Sequence, residues 1–270
     1  MRSSFTVSLF CALCAACPPA TEPSVPAAAG SATPTVEASS ARETRPQRVA
    51  ESDAFPQERA PIRVTDEDTV LGTRTAPLTW VHYGAYTRRM AQLTLELTHK
   101  LQQRYGDAIR FVWRDYYMPY WPDQGIAAEA LHAAYALGRT PALQAMLERL
   151  AAFQGTATVD NMVGMGQLAG VADKGAFRSA LESHAYAARV SASMEEAKRL
   201  KLEGSPTFFL NGARYNGAAV EQQQAELFAA VDRELEAAQK AKESGVAARD
   251  LYGFRCNNNF GHWLVASQAR

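Results

Sequence analysis

Thiols are scarce in this chain. Of its four cysteines, Cys11, Cys14 and Cys17 crowd into the first 17 residues and only Cys256 lies beyond them. Once the N-terminus is removed or modified, the body therefore has no pair from which to build an intramolecular disulfide. An excess of either charge is also lacking: Lys plus Arg and Asp plus Glu number 28 each. Nucleic acid is excluded as a partner, because it leaves a basic footprint on a domain. Apolar runs are short, and none reaches the length needed to cross a bilayer as a helix. The five histidines, His82, His99, His132, His184 and His262, show no metal-ligand spacing with one another or with carboxylates. No metal and no cofactor is expected. Hydrophobic residues at 47% and charged residues at 21% do supply a sizeable core, which excludes disorder throughout.

The N-terminus carries Arg2 followed by a short apolar run through Phe5, Val7, Leu9, Phe10 and Leu13, the pattern of a signal peptide. Leu13-Cys14-Ala15-Ala16-Cys17 resembles a bacterial lipoprotein signal, which makes Cys17 the expected lipidated residue and 1–17 the signal. Ordinary cleavage near Ala15 to Ala20, releasing a soluble periplasmic protein, is the alternative. From 18 to 61 the chain is rich in Pro, Ala, Ser, Thr and Glu, too poor in large apolar groups to offset its ordering entropy. This stretch reads as a tether.

The folded region opens with Leu78 to Tyr83, an apolar, β-branched and aromatic strand between Pro77 and Gly84. A helix from about Thr87 to Tyr105 follows, with Leu93, Leu95, Leu97 and Leu101 among polar residues and Gly106-Asp107 as its stop. A second strand, Ile109 to Arg114, completes a β-α-β unit and implies a parallel pair. After the aromatic run Tyr116 to Pro122, the spacing predicts helices over Ile126–Leu137, Pro141–Phe153, Thr158–Leu168 and Lys174–Leu200, an insertion spanning about 122–202. Asn211-Gly212 between Thr207–Leu210 and Ala213–Asn216 signals an antiparallel hairpin. A last amphipathic helix runs from Val220 to about Lys242, with Leu227, Val231 and Leu235 at four-residue spacing. The expected fold is α/β and thioredoxin-like: β-α-β, helical insertion, β-β-α. The domain is bounded at 62–245, and 246–270 is a tail without a clear period.

Three blocks carry a family resemblance: Pro77 to Gly84, Arg110 to Asp115, and Gly204-Ser205-Pro206-Thr207-Phe208-Phe209-Leu210-Asn211-Gly212. Over roughly Val70 to Gly245 the chain resembles the DsbA-type thiol–disulfide oxidoreductases. The resemblance implies that Pro206 is a cis-proline beside the active site, and that Ser205, Pro206 and Thr207 form a peptide-binding edge. It also implies a Cys-Pro-Xaa-Cys motif at the start of the first helix, where the helix terminus stabilises a thiolate. That motif is absent. Ungapped counting puts Arg88, Arg89, Met90 and Ala91 on its four positions; a four-residue deletion before Arg88 would instead remove it altogether.

Other groups offer little in its place. Thr87 has no visible base and suits an N-cap, and Cys256 has no resolving partner. Arg88 and Arg89 oppose the helix dipole; either a bound anion balances them or they face solvent at a decayed site. The aromatic run lines a peptide groove or packs on the insertion. No catalytic residue is assigned. The sequence thus points to a redox-inactive envelope protein, lipid-anchored on the periplasmic side, that binds a peptide or protein partner at the cis-proline face. The alternatives are an oxidoreductase by family, or a small-molecule or anion site at the first helix.

Overall fold

The computed structural model describes residues 60–265 except 87, 119, 122 and 218–221, and gives the backbone alone at 88–90. The expected signal, tether and lipidated Cys17 therefore lie outside the described residues, apart from 60 and 61, and so does Thr87.

A five-stranded sheet in the order β1-β3-β2-β4-β5 forms the centre. β2 (Leu78–Gly84) and β3 (Ile109–Asp115) pair in parallel, Leu78 opposite Ile109 and Gly84 opposite Asp115. The crossover is α1 (Arg88–Tyr105), whose Leu97 and Leu101 are buried one turn apart. β4 (Thr207–Leu210) runs antiparallel to β2 and turns through Asn211-Gly212 into β5 (Ala213–Asn216). Asn211 and Gly212 both take positive φ, 44° and 90°, the geometry for which Asn-Gly is suited. β1 (Thr69–Leu71), which the sequence pattern does not reveal, pairs antiparallel with β3.

Strand alternation divides the core between two faces. Leu78, Trp80, Phe111, Trp113, Phe208 and Leu210 face α1 and the helical insertion. Val81, Tyr83, Val112 and Phe209 face the opposite layer, where Ile62, Val64, Ala197, Tyr252 and Cys256 pack.

The insertion differs in detail from its expectation. The first two expected helices are one element, α2 (Gln124–Ala152), bent where Arg139 leaves helical geometry two residues before Pro141; proline cannot continue the helical hydrogen-bond ladder. α3 (Val159–Leu168) follows, its first turn capped by the Thr158 hydroxyl. The single expected helix from Lys174 to Leu200 is two, α4 (Lys174–Glu182) and α5 (Ala187–Arg199), separated by a turn in which His184 has φ 53°. α6 (Gln224–Glu243) buries Leu227, Val231, Glu234 and Ala238.

The stretch read as a tail packs onto the domain. α7 (Leu251–Asn259) buries Leu251, Tyr252 and Cys256, and the Tyr252 hydroxyl donates to the Ile62 carbonyl at 2.7 Å. Arg255 makes a forked pair with Glu234, which also accepts from Asn211 and Asn259. Beyond α7, the Arg214 amide donates to the His262 carbonyl and the Leu264 amide to the Arg214 carbonyl, each at 2.8 Å. The C-terminal segment thus runs along β5.

Candidate functional site at the carboxyl end of the sheet

Parallel strands followed by a helix bring the helix N-terminus to the carboxyl end of the sheet, where open α/β sheets take ligands. Here β2 ends at Gly84, Ala85 and Tyr86 follow, and α1 begins at Arg88. Thr207 lies opposite Tyr83 in the β2–β4 pairing, so Pro206 arrives at the same end. The Ser205–Pro206 bond is cis, as the signature implies. A Cβ placed on Gly84 would fall 3.3 Å from the Pro206 Cβ and in hard overlap with His82 Nε2.

Local bonds fix the loop before β4. The Ser205 hydroxyl donates to the Tyr116 carbonyl at 2.8 Å, the Thr207 hydroxyl to the Gly204 carbonyl at 2.7 Å, and the Tyr116 hydroxyl to the Leu202 carbonyl at 2.6 Å. The Tyr116 amide donates to the Gly84 carbonyl, and the Pro206 carbonyl accepts from the Gly217 amide, both at 3.1 Å. Pro206 and Thr207 are buried and Ser205 is half-buried. Among the described residues nothing bonds the Ser205 backbone N–H or C=O. Among the described residues that leaves one donor and one acceptor of Ser205 without a partner.

At the expected motif positions, Ala91 is buried; for Arg88, Arg89 and Met90 the backbone places them in the first turn of α1. No thiol is near. Cys256 is fully buried on the far face of the sheet, where burial raises its pKa, so it is neither exposed nor ionised for attack. The aromatic run divides: Tyr117 packs against the core, whereas Tyr120 is 72% exposed.

Two buried polar features behind the site are not evident from the sequence. His82, on β2, is buried with both ring nitrogens unpartnered among the described residues, and burial depresses its pKa from 6.5 to about 3. It stands beside Phe208 and Tyr86 at 5.4 and 6.0 Å between ring centres. With Ala91 and Thr94 it lines a void of about 10 Å³, room for one water. The second feature is a chain of bonds: Asp115 accepts from the Tyr86 hydroxyl at 2.8 Å and meets His132 Nε2 at 2.9 Å, while His132 Nδ1 meets the Thr69 hydroxyl at 2.8 Å. Burial alone would raise the Asp115 pKa, but His132, the Tyr86 hydroxyl and Arg189 outweigh it and hold the carboxyl low. This chain ties β1, β3 and α2 to the loop that launches α1. A histidine inside an apolar strand was the one signal available in the sequence.

A family model described as Thioredoxin matches residues 64–233. The chain belongs to this family. Among solved structures, BdbD from Bacillus subtilis in its oxidised form superposes with a TM-score of 0.54 at 16% identity, covering 68% of this chain and 100% of that one. DsbA from Chlamydia trachomatis gives 0.51 at 12% identity, with the same coverages. These likenesses establish the DsbA-like thioredoxin fold. Among curated proteins, the Na(+)/H(+) antiporter NhaA 1 of Salinispora arenicola is 31% identical over 153 residues, 57% of this chain and 23% of that protein. NhaA 3 of Salinispora tropica is 28% identical over 152 residues, again 23% of its length. The chain thus spans less than a quarter of the curated relatives it matches. Among the described residues no helix is long and apolar enough to cross a membrane.

Proposed function

We propose that this member of the thioredoxin family is a redox-inactive binding protein that receives an extended peptide at the Ser205–Thr207 edge. One observation carries the reading: among the described residues the edge keeps a backbone donor and acceptor at Ser205 without a partner, while residues 60–255 contain no cysteine. An extended chain laid against such an edge gains main-chain hydrogen bonds. Thiol–disulfide exchange needs an attacking thiolate and a second sulfur within bonding distance, and Cys256, the one cysteine among the described residues, is buried.

Two measurements test the reading. In an insulin-reduction assay, the chain with Cys11, Cys14 and Cys17 changed to Ser stays at background; turnover would sink the redox-inactive half. In fluorescence anisotropy, a labelled, unfolded, carboxymethylated polypeptide binds saturably, and Ser205→Pro, which removes the amide N–H, weakens binding at least tenfold. Equal binding by that variant would sink the peptide half.

The N-terminal sequence Leu13 to Cys17, followed by the Pro-rich stretch, supports the further reading of an envelope protein held to a membrane by lipid on Cys17. Metabolic labelling with an alkyne fatty acid tests it: wild type labels and Cys17→Ser does not.

A further inference from the structure

We propose that the groove between the segment Arg63–Asp68 and α5 binds an organic anion, a carboxylate or phosphate head carried on an apolar body. The site is separate from the Ser205–Thr207 edge and does not depend on peptide binding there. It offers about 820 Å³ of open space, with Arg114 of β3 on its lining. Small side chains make the room: Ala185, Ala188 and Ala192 form the wall on the α5 side, and all three are exposed.

Four guanidinium groups and four carboxylates line this groove, but they are not paired off evenly, and Arg199 is already held by Glu196. The Arg114 terminal nitrogens are engaged by Glu196, Asp68 and the Arg63 carbonyl, yet its Nε is buried with no acceptor. Arg189 forms no ion pair among the described residues, and its Nη2 is likewise buried without an acceptor. Arg63 is exposed and has no carboxylate partner among the described residues. The acids around the same space are mostly engaged, Asp68 and Glu196 with Arg114 and Glu195 with Lys198. Glu67 is the acid left over, so Arg63 and Arg189, neither in an ion pair among the described residues, line the same space as one unpaired carboxylate, although the Arg189 charge also helps hold the buried Asp115 carboxyl low. Buried N–H groups without acceptors are costly and rare, and guanidinium is the side chain best shaped for carboxylate and phosphate. The alanine wall suits the apolar body of such a ligand.

Isothermal titration of the full chain with octanoate, octyl phosphate, inorganic phosphate and octylammonium tests the proposal. The two octyl anions bind, inorganic phosphate binds more weakly, and octylammonium does not bind. Comparing the two octyl anions identifies the preferred head. Arg189→Gln, which breaks no ion pair among the described residues, weakens the better anion at least tenfold while urea denaturation checks that losing its charge near Asp115 leaves the fold intact, and Ala188→Phe blocks that anion by filling the groove. Octylammonium binding as tightly as octanoate, or unchanged affinity in Arg189→Gln, overturns the proposal.

Discussion

His82→Phe is expected to remove most of the acid sensitivity that this one residue builds into the domain. The folded state holds the imidazole neutral because burial drops its pKa to about 3, whereas the unfolded chain takes up a proton near 6.5. A group with a depressed folded pKa gives full stability above the unfolded value, and that stability drains away as pH falls toward the folded one. The gap between 6.5 and about 3, at about 1.4 kcal/mol per pH unit, sets a ceiling of roughly 5 kcal/mol. At pH 4.5, some two units into the window, the loss is about 3 kcal/mol. Phenylalanine is close in size to histidine, suits the aromatic neighbours Phe208 and Tyr86, and removes two unpartnered ring nitrogens that cost about 1–3 kcal/mol each when buried. Urea denaturation of wild type and His82→Phe between pH 7.5 and 4.5 reads the effect. The variant should equal or exceed wild type at pH 7.5, and its advantage should widen by about 3 kcal/mol by pH 4.5. A stability difference that stays flat across this range would refute the reasoning.

Other perturbations probe the packing around the site. Gly84→Ala drives a methyl group into His82 Nε2 and toward Pro206, and should lower urea stability by about 1–3 kcal/mol; His82→Ala in the same chain should recover part of the loss. Gly212→Ala combines a φ of +90° with a Cβ 2.6 Å from the Cys256 carbonyl, so it should loosen α7. Mass spectrometry after brief alkylation should then find Cys256 modified in the variant and protected in wild type. Glu234→Ala leaves Arg255 without its carboxylate and Asn211 with one amide hydrogen unpaired, though Asn211 keeps Pro77 and Arg255 keeps Asn259, at about 1–3 kcal/mol in a denaturation series.

What the sequence reveals follows from how local each signal is. β2, α1, β3 and the β4–β5 hairpin announce themselves through contiguous patterns: an apolar strand, a leucine-spaced helix with a Gly-Asp stop, and Asn-Gly between two short runs. β1 is three residues long and exists because β3 offers it an edge, which no window over Thr69–Leu71 displays. α7 hides because its buried residues, Leu251, Tyr252 and Cys256, alternate with an exposed Phe254 and polar groups, leaving no clean stripe. The break between α4 and α5 falls where His184 takes a positive φ, and its ring meets Glu129, 55 residues away, a contact that no local window displays. At the site, the Gly-Ser-Pro-Thr-Phe run locates the proline edge from sequence alone. The Asp115–His132–Thr69 chain joins residues 17 and 63 positions apart, so its existence is a property of the assembled sheet.

The strand that pairs last in the sheet would, if bare, offer a row of open amides and carbonyls to any neighbouring chain, a common origin of aggregation. Residues 262–264 lie along β5 and satisfy Arg214 on both its backbone groups, with the Arg214 guanidinium over the Trp263 ring at 5.2 Å. The C-terminal segment therefore acts as a built-in guard for the exposed border. A chain cut after Gly245 would lose that cover together with α7, and would be expected to associate edge to edge at concentrations where the whole chain stays dispersed.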